Sequence, residues 1–272
     1  VHAKTLAQAI ATLHMPQLLD KSIEILSVKH LRGPNMWTYH PIIEVWIDIG
    51  DLEDYPSNLI PGFYDRLVKA LPSLVEHRCS YGETGGFLKR VEEGTWPAHI
   101  MEHLTLELQN LSGIPGGFGK ARDGDRRGVY KVMVSAINEE VTLTALKYAR
   151  DLYLALAQDN TDCAALVKTI TENLREIGDD LLLGPSTACI VNAAEERGIP
   201  SIRLSEGNLV QLGYGAKQRR IWTAETDQTS AIAETISRDK DLTKSLLRSA
   251  GVPTPEGRTV TSPDDAWEAA QD

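Results

Sequence analysis

Ile42-Ile-Glu-Val-Trp-Ile-Asp-Ile49 alternates apolar and polar residues from Ile43 onward. Successive side chains of an extended chain point to opposite faces, so a period of two predicts a half-buried strand. Gly128-Val-Tyr-Lys-Val-Met-Val-Ser135 reads as a second, more buried strand. Between and after these two the apolar period lengthens. Pro61 to Leu71 carries Phe63, Leu67 and Leu71 on one helical face, with Pro at its start. From Thr95 to Leu111, Ile100, Leu104, Leu108 and Leu111 form a stripe; Pro97 suits the first turn, and Gly113 and Pro115-Gly-Gly-Phe-Gly119 end it. Asn138 to Leu156 is a third, longer helix. Strands interleaved with helices predict a mixed α/β chain.

Residues 1–26 read as an amphipathic helical lead through Leu6, Ile10, Leu13, Leu18 and Leu19, interrupted by Pro16. The polar stretch Gln158-Asp-Asn-Thr-Asp162 is the candidate domain boundary. Beyond it, helices are expected over Cys163–Ile177, Ala188–Arg197, Thr229–Ser237 and Asp241–Ala250, with short strands at Ile199–Leu204, Gln218–Ala224 and Thr259–Thr261. Ser262 is placed to cap a last helix.

The chain has 272 residues, 42% of them hydrophobic. That suffices for a core and excludes a disordered chain. No apolar run approaches the roughly 20 residues of a membrane helix. Lys and Arg number 28 against 38 Asp and Glu, a net charge of −10, which argues against general nucleic-acid binding. Cys79, Cys163 and Cys189 are odd in number and far apart, the pattern of a reduced, cytoplasmic protein rather than a disulfide framework.

The sharpest chemical signal is His99-Ile-Met-Glu102-His103. On a helix, His99 and His103 lie one turn apart on the same face, and two imidazoles there can share a metal ion. The order H-x-x-E-H is that of inverted zincins, in which the Glu is general base for hydrolytic water. A third ligand is needed: Glu107, one turn past His103, is the first candidate, and His77, in a separate segment, the second. The same residues also fit a solvated or structural helix face. Upstream, Gly82 to Gly86 reads as a glycine-rich turn where Gly85 and Gly86 permit close backbone approach. Gly116-Gly-Phe-Gly119 followed by Lys120, Arg122, Arg126 and Arg127 reads as a charged loop able to hold an anion, although it does not match the phosphate loop of nucleotide hydrolases. Gln211-Leu-Gly-Tyr-Gly215 reads as a tight turn presenting a tyrosine.

Leu31-Arg-Gly-Pro-Asn-Met-Trp37, Pro61-Gly-Phe-Tyr64, Leu74-Val-Glu-His-Arg-Cys79, Gly85-Gly-Phe87, His99–His103, Gly117-Phe-Gly119 and Gly184-Pro-Ser-Thr187 together resemble the amino-terminal region of the cyanophycin synthetase family. Gln211–Gly215 and Asp239-Lys240 through Ala250-Gly-Val-Pro253 resemble the opening of that family's ATP-grasp module. The resemblance implies an extension over residues 1–30, an α+β domain over 31–160, and over 161–272 a linker with the first α/β subdomain of an incomplete ATP-grasp fold.

The family it resembles joins aspartate and arginine into cyanophycin with ATP and Mg2+, through acyl phosphates. The resemblance implies a homo-oligomer whose partners are the polymer, aspartate, arginine and ATP, with neither nucleic acid nor membrane among them. Its amino-terminal domain is implied to bind polymer and, in some members, to cut it into primers by metal-dependent hydrolysis. On that basis Glu102 is the expected catalytic base, His99, His103 and Glu107 the expected zinc ligands, Gly85, Gly86, Lys120 and Arg122 the expected polymer path, and Lys240 an expected ATP contact. The remaining ATP-grasp parts and any phosphate loop for a second ligase are missing, which implies a piece of a longer enzyme. Two rival readings are a non-catalytic polymer-binding module and another ATP-grasp peptide ligase.

Overall fold

The computed structural model describes residues 22–159 and 161–271. Of the expected helical lead over residues 1–26, residues 1–21 lie outside the described residues, and residues 24–26 are strand rather than helix. Two compact units divide between Leu182 and Leu183.

In the first unit, four strands form one antiparallel sheet: β1 (Glu24–Leu31), β2 (Ile42–Asp48), β3 (Gly119–Asp123) and β4 (Val129–Ser135), in the order β1-β2-β4-β3. Ile43, Val45 and Ile47 of β2 point into the core, fully buried, and pair with Val134, Val132 and Tyr130 of β4. The alternation predicted a half-buried strand, yet the other face of β2 is covered too. Glu44 lies beneath the indole N–H groups of Trp37 (2.9 Å) and Trp46 (3.1 Å), which both donate to its carboxylate. A carboxylate tolerates that burial because its lone pairs are used.

Helices α1 (Phe63–Ala70), α2 (Gly86–Glu93), α3 (Pro97–Leu111), α4 (Glu139–Gln158) and α5 (Cys163–Leu181) complete this unit. Asn138 caps α4 by accepting from the Glu140 and Val141 N–H groups. The compact unit runs past the polar stretch at 158–162, where a boundary was expected. Asp162 caps α5, and Val167, Ile170 and Leu174 then pack that helix into the same core as Ile43 and Leu104. At the other end, residues 24–31, most of them within the stretch expected as an extension, join the same sheet. They form β1, which pairs with β2 along its length, and His30 and Arg32 both reach Glu139 in the first turn of α4.

The second unit holds α6 (Pro185–Glu195), then β5 (Ser201–Arg203), β6 (Leu209–Leu212), β7 (Arg219–Trp222) and β8 (Glu225–Thr226) in an antiparallel meander, then α7 (Ala231–Arg238), α8 (Lys240–Ser249) and α9 (Pro263–Ala269). Its buried apolar cluster is Val191, Val210 and Ile221. The expected strand at Thr259–Thr261 is absent: the Thr261 N–H and hydroxyl are both taken by Asp265, and Ser262 caps α9. That local bonding competes with a ladder and wins. Both units mix helix and antiparallel sheet, in agreement with the expected mixed class. Among the described residues no helix is long and apolar enough to cross a membrane.

Candidate functional site

Helix α3 is unusual in being buried on nearly every side, with Glu102, His103, Thr105, Glu107 and Gln109 inside along with its leucines. Buried polar groups in such a row require partners, and following those partners outlines the site.

Glu107 accepts a hydrogen bond from the Ser73 hydroxyl and lies 2.7 Å from Nε2 of His77. Burial alone raises a carboxyl pKa, but here the bonds from His77 and Ser73 outweigh it and hold Glu107 below its ordinary value. An ionised carboxylate can only accept, so His77 donates from Nε2, and in the neutral ring Nδ1 then keeps its lone pair. That Nδ1 meets Nδ1 of His103 at 2.8 Å, so His103 is the donor there and carries its own lone pair on Nε2. Phe87 stacks on the His103 ring at 4.0 Å and fixes its plane.

His99 is held by Thr95, whose hydroxyl lies 2.9 Å from Nδ1, and its Nε2 meets the Cys79 sulfur at 3.2 Å. The donor atoms of Cys79, His99 and His103 all lie within 4.8 Å of one another. Burial, and then Arg90, lowers the pKa of His99 to about 4; burial, and then His99 and His77, lowers that of His103 to about 2. Both rings are thus neutral, as metal ligation requires. A thiol and two neutral imidazoles with converging lone pairs are a donor set suited to zinc. Cys79 also sits at φ 50°, a left-handed conformation rare for a side-chain-bearing residue and common where a site over-determines the backbone.

Glu102 faces the same cluster, with Oε1 3.9 Å from Nε2 of His103. Burial pushes its pKa up to about 8, opposed by Arg122 and by a hydrogen bond from the Ala121 N–H. Strand β3 passes so near that a Cβ at Gly119 would come within 2.6 Å of the Glu102 carboxylate and 2.8 Å of Leu106. Glycine is required there for the strand to lie against α3.

These groups line a cleft of about 690 Å³ whose walls include Arg78, Arg90, Gly116, Gly117, Lys120, Arg122 and Tyr130. Of the residues expected from sequence, His99, Glu102, His103, Lys120 and Arg122 come together here. Glu107 does not join the donor cluster; it is committed to Ser73 and His77 and reaches His103 only through His77. His77 stands likewise behind His103 rather than beside His99. Gly85 and Gly86 do not line the cleft: Gly85 has φ +80° at the start of α2, and Gly86 packs against the Arg78 carbonyl. Arg126 and Arg127 are paired with Asp48 and Asp54. Lys240 opens α8 in the second unit, exposed to solvent, with Asp239 as the cap.

Cys79, Arg78, Arg90 and Thr95 escaped the sequence reading as site residues. Only the stretch Leu74–Cys79, which carries both His77 and Cys79, held a signal for them.

Residues 44–158 match the cyanophycin synthase-like N-terminal domain. Over 255 residues the chain is 43% identical to the cyanophycin synthetases of Trichormus variabilis and of a Nostoc species, and over 252 residues 41% identical to that of a Synechocystis species. Each match takes in 92% of this chain and 28–29% of the relative, so the chain spans under a third of the length of the curated relatives it matches. The domain that holds this cleft is thus a cyanophycin synthase-like N-terminal domain.

Proposed function

We propose that the chain serves a ligase that builds cyanophycin from aspartate and arginine with ATP and Mg2+, and that its first unit holds the polymer and cuts it into primers. The observation that carries the hydrolytic part is the convergence of Cys79, His99 and His103 beside Glu102 in an open, cation-walled cleft. In this reading Cys79, His99 and His103 replace the sequence-based set, with Glu107 as a positioning residue. Zinc held by these three would supply a Lewis acid that polarises the scissile carbonyl and lowers the pKa of water.

The chain's own residues do the rest. Glu102 accepts a proton from water as the water oxygen bonds to the amide carbon. The carbon–nitrogen bond then breaks, and Glu102 returns the proton to the leaving nitrogen. Burial holds the Glu102 pKa near 8 against Arg122 and the Ala121 N–H, so the ionised carboxylate that accepts the proton gains as pH rises toward that value. Lys120, Arg122 and Arg90 attract the polymer's free carboxylates.

The test is to incubate the purified chain with cyanophycin, with and without a chelator. Shortened polymer only without chelator, together with about one zinc per chain, is expected. Intact polymer and no bound metal would sink the hydrolase. A second reading, a binding module without catalysis, is favoured by the contacts His99 already makes with Cys79 and Thr95; polymer retained but never shortened would establish it.

His77→Ala should lower zinc affinity by about 10- to 100-fold, because His103 loses the acceptor that fixes its tautomer. Competition with a chromophoric chelator measures this, and an unchanged affinity would remove His77 from the site. Exchanging Lys120 and Arg122 for Ala together should weaken polymer retention severalfold at low salt, by roughly 1–2 kcal/mol, with the difference shrinking as salt rises. Co-sedimentation with insoluble cyanophycin over a salt series reads it directly.

The second unit belongs, in this proposal, to an ATP-grasp module with Lys240 near nucleotide phosphates. A cytoplasmic homo-oligomer is the accompanying expectation.

A further inference from the structure

Strand β3 ends its sheet, and Gly119 to Asp123 line the cleft. Its ladder is bracketed by two bonds to β4: Ser135 N–H to the Phe118 carbonyl (2.8 Å) and Gly124 N–H to the Val129 carbonyl (2.7 Å). Antiparallel bonding alternates along a strand. Lys120 and Arg122 therefore turn their main-chain groups toward β4, and Gly119, Ala121 and Asp123 turn theirs away. The Ala121 N–H is given to Glu102, and its carbonyl accepts from the Arg122 guanidinium at 2.9 Å. Among the described residues, no backbone partner beyond the β3–β4 ladder appears for Gly119 or Asp123.

An edge of this kind normally invites aggregation and is blunted by charge. Here it borders a cleft, and cations stand beside it, Lys120 and Arg122 on the strand itself and Arg90 in the cleft wall, with Asp123 an anion at the strand's end. Cations beside a free main-chain edge suit an extended polyamide that bears carboxylates. We propose that β3 takes the main chain of the polymer as an added strand, bonded to Gly119 and Asp123, so that the amide opposite Ala121 lies against Glu102. Residues two apart on a strand are separated by roughly 7 Å, the repeat at which an extended chain presents its outward N–H and C=O pairs. This rests on the hydrolytic reading and adds to it the mode of binding and the register.

Residue-resolved hydrogen exchange on the full chain tests it, with chelator present so that the polymer stays whole, and with soluble short-chain cyanophycin as the probe. The Gly119 and Asp123 amides should exchange about tenfold more slowly with polymer than without, while Ala121, already bonded, changes little. Polymer that binds without slowing these two amides overturns the edge, whether or not it is later cleaved. Slowed exchange with no cleavage after metal is restored keeps the edge and overturns the hydrolase; absence of binding overturns both.

A kinetic arm adds a second measurement. Asp123→Pro removes an outward N–H at an edge position that tolerates proline, and should raise KM about tenfold with little change in kcat. Asp123→Ala keeps the N–H and should raise KM less than Asp123→Pro does. An equal KM for the two variants counts against the edge.

Discussion

Glu102→Gln lowers polymer cleavage by about two to four orders of magnitude and leaves zinc bound. The amide is close in size to the carboxyl, so the contact with β3 at Gly119 and the hydrogen bond from the Ala121 N–H both survive. What it loses is the ability to take a proton from water. None of the three donors is touched, since Thr95 and Cys79 hold His99, and His77 and the stacked Phe87 ring hold His103. Single-turnover cleavage alongside elemental analysis separates the two effects. Loss of metal in step with loss of cleavage would assign Glu102 to ligation, and residual cleavage within tenfold of the parent would remove it as the base.

Gly86→Ala unfolds the wall of the site. A Cβ at this position would lie 2.1 Å from the Arg78 carbonyl and 2.9 Å from Cβ of Tyr81. The first obstacle is main chain and cannot rotate away. Either α2 withdraws from the core, taking Phe87 off the His103 ring, or the Arg78–Cys79 segment shifts and takes the sulfur with it. The expected cost is on the order of 3 kcal/mol, a fall in Tm of roughly 10 °C. Gly85→Ala is the control: nothing lies within 4 Å of its Cβ, and its φ of +80° alone costs about 1 kcal/mol. Thermal denaturation of the two variants side by side checks the ranking. Equal melting temperatures would mean that the close approach at Gly86 relaxes freely.

The apolar periods of β2, β4, α1, α3 and α4 were legible because each buries a face of regular period against one core. β1 and β3 were not. Glu24-Ile-Leu-Ser-Val-Lys-His-Leu31 is an outer strand with little burial, so its apolar residues follow no clean alternation. Gly-Lys-Ala-Arg-Asp123 is short and charged, which is how a sheet edge looks and also how a loop looks. The site divides in the same way. His99, Glu102 and His103 belong to one helix, whose period puts them together before any tertiary structure exists. Cys79 and His77 come from a segment that the chain joins to α3 by way of the turn at Gly82–Gly86 and α2, and no spacing rule reaches across it. Glu107 illustrates the limit of the helical period: one turn past His103 it lies on the right side of the helix, yet too far along to share the cluster. A sequence reading places it near the site, and only the contact with His77 tells what it does there.

The bonds from Ser73 through Glu107 and His77 to His103 have a direction. Every proton along them points toward the carboxylate, and the last lone pair in the row therefore emerges on the far ring, at Nε2 of His103. The carboxylate works as a fixed pole, and the Nε2 lone pair is its image two residues removed. A chain of this sort transmits polarity without motion. The face that His103 turns to the cleft is written into α3 one turn further on, by an acid that stands outside the donor cluster.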